Sequence, residues 1–132
     1  MYRLSCCLIG VTFLFVPGCG PKLPYEVVPF AGTVTYQGTP VPGLPIFFLP
    51  EEGRPSNGFS DKNGKFNMVY TVKVDGIQTG NGSFYIELSP GDGSLYDNRA
   101  LLETIANKYP KRNELLQFEI TKRERNFELK LE

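Results

Sequence analysis

The feature that most constrains this chain is an apolar period of two, repeated in short runs separated by turn residues. Phe30, Val34 and Tyr36 alternate with Ala31, Thr33 and Thr35; Ile46 and Phe48 alternate with Phe47; Phe66, Met68 and Tyr70 alternate with Lys65, Asn67 and Val69. Later, Phe84, Ile86 and Leu88 alternate with Tyr85 and Glu87, then Leu116, Phe118 and Ile120 with Gln117 and Glu119, and Phe127, Leu129 and Leu131 with Glu128 and Lys130. Successive side chains of a strand leave on opposite faces, so each run buries one face only. A weaker strand is expected around Gly58 to Asp61. Gln37-Gly38, Pro42-Gly43, Asn63-Gly64, Asp75-Gly76 and Asn81-Gly82 fall between the runs. Short turns of this kind join antiparallel strands, whereas parallel strands need long crossovers. The expectation is an all-β, antiparallel sandwich of about seven strands.

One segment departs from that period. From Arg99 to about Asn107, Leu101, Leu102 and Ile105 gather on one side of a helix that Asp97 or Asn98 would cap, and Pro110 forces Tyr109 out of helical geometry. The apolar side is narrow, which suits a short helix lidding one end of the sandwich.

The 132 residues are enough for one domain, and 14 Lys+Arg balance 14 Asp+Glu. That balance argues against nucleic acid, whose binders carry a basic stripe for phosphate. There is no histidine, so triads built on His and zinc sites of the usual His/Cys type are excluded. No metal or other cofactor is expected.

The N-terminus reads as an address. Arg3 is the only charge before Lys22, and Leu4 to Val16 are almost purely apolar. A helix of that length reaches only about 20 Å, short of the ~30 Å needed to span a bilayer. The following Val16-Pro17-Gly18-Cys19 resembles the lipobox of bacterial lipoprotein signals, which have an aliphatic residue three before the cysteine and a small one immediately before it. The resemblance implies cleavage after Gly18 and lipidation of Cys19. Cys6 and Cys7 would leave with the signal, and the single remaining thiol then has no internal disulfide partner. Residues 1–18 are accordingly expected to be a lipoprotein signal peptide, and 19–29 a lipidated Cys and a semi-rigid tether containing Pro21, Pro24 and Pro29. Residues 30–132 are the expected sandwich domain.

Gly32-Thr33-Val34-Thr35-Tyr36-Gln37-Gly38-Thr39-Pro40-Val41-Pro42-Gly43, Ile46-Phe47-Phe48-Leu49-Pro50 and Asp61-Lys62-Asn63-Gly64-Lys65-Phe66 resemble the opening, second strand and hairpin of the carboxypeptidase regulatory-like family. Ser60 stands where that family commonly has Thr. Ile105 to Tyr109 and Asn126-Phe127-Glu128-Leu129 are similar to segments near the end of small bacterial lipoproteins carrying one such domain. The resemblance implies a transthyretin-like Greek-key sandwich; its motifs specify a fold, not an activity.

Physics accounts for the same motifs. Gly38, Gly43 and Gly64 permit positive φ where the chain reverses, and Asp61 accepts backbone N–H bonds in a tight turn. Asp61-x-Asn63-Gly64 is thus a turn and not a calcium loop, whose twelfth position would be Val72. Asp92 and Asp97 read as a solvated loop. Glu51-Glu52 are sequence neighbours and do not face each other across a cleft, as two-carboxylate glycoside chemistry requires. The hydroxyisourate hydrolases, an enzymatic branch of the transthyretin-like fold, depend on histidines this chain lacks. Lys122-Arg123-Glu124-Arg125 reads as a solvated hairpin tip.

Phe47 and Tyr85 are the candidates for contact, because both have outward parity, and exposed aromatics on a sheet anchor partners or stack sugars; cover by the adjacent sheet edge, the tether or the helix is the competing reading. Glu87 and Gln117 are the polar groups expected beside them. The expected function is a non-catalytic, lipid-anchored protein-interaction or structural module, exported and held at a bacterial membrane on its periplasmic or cell-surface side. Its partners would be the membrane, through the anchor, and an envelope protein. A carbohydrate- or cell-wall-binding module is the alternative, and an enzyme working with carboxylates alone is the third and weakest class.

Overall fold

The computed structural model describes residues 25–132, so the expected signal peptide, Gly18 and Cys19 lie outside the described residues. Within them, strands β1 (Val27–Val28), β2 (Phe30–Tyr36), β3 (Thr39–Pro40), β4 (Pro45–Pro50), β5 (Ser56–Phe59), β6 (Lys65–Asn67) and β7 (Val69–Thr71) come first. Then follow β8 (Val74–Asp75), β9 (Ile77–Gln78), β10 (Gly80–Tyr85), helix α1 (Arg99–Lys108), β11 (Gln117–Ile120) and β12 (Glu124–Leu131). Counting only strands of three residues or more, and β6 with β7 as one broken strand, gives the seven the sequence pattern predicts.

They form an all-β sandwich. One sheet runs β11-β10-β4-β5-β7-β8, the other runs β12-β2-β3 with β6 also on β2, and β1 pairs β9 as a small ribbon. Predicted inward residues close the core between the sheets: Val34, Phe66, Leu129 and Leu131 from one, Ile46, Phe48, Phe84 and Ile120 from the other. Five phenylalanines interlock there. Phe84 lies 5.9 Å from Phe30, 5.0 Å from Phe48 and 5.6 Å from Phe118, and Phe127 closes the group 4.9 Å from Phe30. Tilted and edge-on rings at these separations add to the stabilisation that burial of their area gives.

The turns behave as their residues require. Gln37 and Gly38 both have positive φ, 52° and 83°, giving the two-residue turn whose twist suits a hairpin between Tyr36 and Thr39. Asp61 Oδ1 accepts the N–H groups of Asn63 and Lys65 at 2.8 and 3.0 Å.

Several expectations are corrected. The sandwich is not wholly antiparallel, because β12 pairs β2 in parallel. The β11–β12 connection passes from one sheet to the other, and the last strand therefore arrives alongside β2 running in the same direction. The run from Phe66 to Tyr70 is two strands: β6 pairs β2, β7 pairs β5, and the chain changes sheets at Met68. The weak strand spans Ser56 to Phe59, and Asp61 belongs to the turn after it. β10 ends at Tyr85, beyond which Ile86 N–H bonds to the Tyr109 carbonyl. Pairing also starts before Phe30, since β1 joins Ile77 and Gln78 and Thr79 N–H bonds to Glu26.

In α1, Leu102 and Ile105 are buried, but Leu101 is exposed. Asn98 occupies the cap position without a side-chain cap bond. Its amide instead donates to the Pro42 carbonyl at 2.9 Å, tying the helix start to the β3–β4 turn. Among the described residues no helix is long and apolar enough to cross a membrane.

Candidate interaction surface

The outer face of the six-stranded sheet collects the predicted contact residues by strand parity. Phe47 of β4 lies between Asn57 of β5 and Tyr85 of β10. One row away, Leu49, Ser83 and Gln117 stand side by side, and Pro45 pairs Phe59 on the opposite flank. Glu87, two residues past Tyr85, is exposed beyond the end of β10.

Phe47 and Tyr85 stack with ring centroids 5.0 Å apart and planes 13° from parallel. Lys111 approaches Tyr85 from the crossing segment, its ammonium 5.9 Å from the ring centroid. The expected exposure of Tyr85 is therefore corrected: its parity is outward, yet it is only 2% exposed. Phe47 and the segment from Tyr109 onward cover it, while Phe47 itself stays half-buried. Burial pushes the Tyr85 phenol above its usual value, and the Glu87 carboxylate adds to the shift.

The covering segment is fastened by Asn113. Its amide donates to the Phe84 carbonyl at 2.7 Å and to the Pro110 carbonyl at 2.9 Å, while its oxygen accepts from Leu115 and Leu116, each at 3.0 Å. Arg112 next to it takes a left-handed backbone, φ 64°, which turns the chain along the sheet edge.

Beside the stack opens a groove of about 830 Å3, whose walls include Glu51, Asn81, Ser83, Arg112, Gln117 and Glu119. Its carboxylates are on exposed residues. A general acid in glycoside hydrolysis needs a carboxyl shielded enough to hold its proton near neutral pH, and this groove gives no such shelter. Among the described residues no group of three or more Asp, Glu, His or Cys side chains is placed to hold a metal ion. A smaller groove of about 420 Å3 lies on the outer face of the four-stranded sheet, with Thr33, Thr35, Glu128 and Lys130 on its walls.

Two members of the outer face escape sequence reading. Phe59 is 57% and Leu115 65% exposed. β5 inverts the usual pattern, with Ser56 and Gly58 inward and Asn57 and Phe59 outward, so apolar alternation gives no clue to its facing. Leu115 precedes the inward Leu116 in an apolar pair that hides the parity. The remaining motif residues stay apart from this face: Asp61 serves its turn and Glu52 offers its carbonyl to the Gln78 amide, while the expected hairpin tip is corrected, because Lys122 and Arg123 lie on an exposed crossover between the sheets and half-buried Glu124 and exposed Arg125 begin β12. No protein-family model, curated protein or solved structure matches the chain.

Proposed function

We propose that this chain is a non-catalytic, lipid-anchored module of the bacterial envelope that binds a protein partner on the outer face of its six-stranded sheet. The observation that carries the reading is the apolar stripe across that face. Exposed Phe59 and Leu115 flank the Phe47–Tyr85 stack, and a polar groove borders it. Aromatic and aliphatic anchors rimmed by polar groups are the composition of protein-binding patches. The lipobox-like Val16-Pro17-Gly18-Cys19 supports the anchor, and acyl chains at Cys19 would hold a small domain to a membrane through ~0.8 kcal/mol per buried methylene.

The polar groove favours a second reading, binding of an envelope glycan through Asn81, Gln117 and Glu119. Against it, sugar stacking needs an open ring face, and Tyr85 is buried while the stack takes up one face of half-buried Phe47.

Cell fractionation tests the anchor: wild type should sediment with membranes and Cys19→Ser should be soluble, and tight membrane association of that variant would contradict it. Retention of the full chain on cell-wall polysaccharide, lost in Gln117→Ala, would favour the glycan reading over the protein one.

A further inference from the structure

We infer that the end of the sandwich where the chain enters from Cys19 lies against an anionic lipid surface, with Lys73, Lys122 and Arg123 as cationic contacts and Val72 as the apolar one. This rests on the lipidation proposed for Cys19. The topology supplies the placement. In the six-stranded sheet every neighbouring pair is antiparallel, so β4, β7 and β11 point the same way and the loops leaving them share one end. β7 leads into Val72-Lys73, and β11 leads into Thr121-Lys122-Arg123.

The N-terminal entry is at that same end. Glu124 N–H bonds to the Pro29 carbonyl at 3.1 Å, and Thr79 N–H to the Glu26 carbonyl at 2.9 Å, just before Gly80 pairs with Ile120. Only six residue steps separate Cys19 from Tyr25, a reach of at most about 20 Å. An acylated Cys19 would therefore hold this end, and not the helix end, near the bilayer.

The side chains there suit a headgroup layer. Val72 is fully exposed at its turn, next to Lys73. The ion pairs among the described residues join Arg99 to Glu103 and Lys130 to Glu128, which leaves Lys73, Lys122 and Arg123 unpaired. Glu124, their acidic neighbour, directs Oε1 to the N–H groups of Arg125 and Asn126 at 3.2 and 3.3 Å. Glu51 and Glu52 leave the same end between these tips, and Glu26 at the entry and Asp75 after Lys73 are exposed there too, so the contact is confined to the Val72-Lys73 and Thr121-Lys122-Arg123 tips at the two margins of the sheet.

The test uses the full chain produced in an exporting bacterium and reconstituted into vesicles of phosphatidylglycerol and phosphatidylcholine in equal parts, with a nitroxide headgroup lipid as quencher. A fluorophore on Thr121→Cys should be quenched, and one on Lys62→Cys, in the turn at the opposite end, should not. Lys122→Glu with Arg123→Glu should leave the anchor in place and lower the quenching of the fluorophore at Thr121→Cys, with ~fivefold weaker membrane contact for each cation lost, and unchanged quenching would overturn the cationic contact. Equal quenching at both positions on an acylated chain would overturn the inference and leave the anchor standing. Intact mass of the same samples reads the anchor separately. Should Cys19 carry no lipid, the anchor reading falls, and quenching of Thr121→Cys by the same vesicles at low ionic strength still supports or overturns this one.

Discussion

Phe47 of β4 and Tyr85 of β10 face each other in register and stack at 5.0 Å on the outer side of the sheet, back to back with the core ring of Phe48. Neighbours in sequence, Phe47 and Phe48 thus do different work: one shapes a surface, the other fills the interior.

Alanine substitution should separate them. Phe48→Ala empties a fully buried site and should cost about 3–5 kcal/mol, whereas Phe47→Ala, which removes one half-buried partner of a stack, should cost about 1–2 kcal/mol. Urea denaturation of both variants checks this; equal losses would mean that Phe47 is a core residue.

Gly32 sits beside Phe127 in the parallel β2–β12 pair, where an added Cβ would run into the Phe127 carbonyl. Backbone cannot yield as a flexible side chain does, so Gly32→Ala should lose about 2–3 kcal/mol. Gly38→Ala, with open space around it but a φ of 83°, should lose only about 1 kcal/mol by denaturant titration.

Alkaline pH should unfold the protein partly through Tyr85. Its phenol titrates higher in the folded chain than in the unfolded one, so the folded state holds the proton longer. Stability is then complete below the unfolded value of about 10 and falls as pH rises toward the folded value. Tyr85→Phe should flatten that fall in denaturation midpoints measured across this range; an unchanged slope would assign it to other groups.

Asn113→Ala removes four hydrogen bonds, one that ties the crossing segment to the Phe84 carbonyl of β10 and three that fix the turn of the segment itself. The expected loss is about 1–3 kcal/mol, because the Phe84 carbonyl and the Leu116 N–H lose their side-chain partner. Amide exchange should quicken at Leu115 and Leu116 and not in β2.

Strand parity was legible wherever one face is apolar and the other polar, as in Phe30 to Tyr36 or Leu116 to Ile120. It failed at Ser56 to Phe59, where small residues pack inward and Phe59 points to solvent. Local pattern also carries no information about the partner of a strand, so neither the sheet change at Met68 nor the parallel seating of β12 on β2 could be read from it. The outward parity of Tyr85 was readable and its burial was not, because the cover comes from Phe47 and from residues near Lys111, distant in sequence.

The central claim is that the outer face of the six-stranded sheet meets a protein in the envelope. A photo-cross-linking residue placed at Phe59 or Leu115, and for contrast at Thr35 on the other sheet, tests it in intact cells. The account predicts one recurrent protein adduct from Phe59 and Leu115, reduced about tenfold by Phe47→Ala, and none from Thr35. Adducts from Thr35 alone, or the same scattered adducts from all three positions, would contradict it.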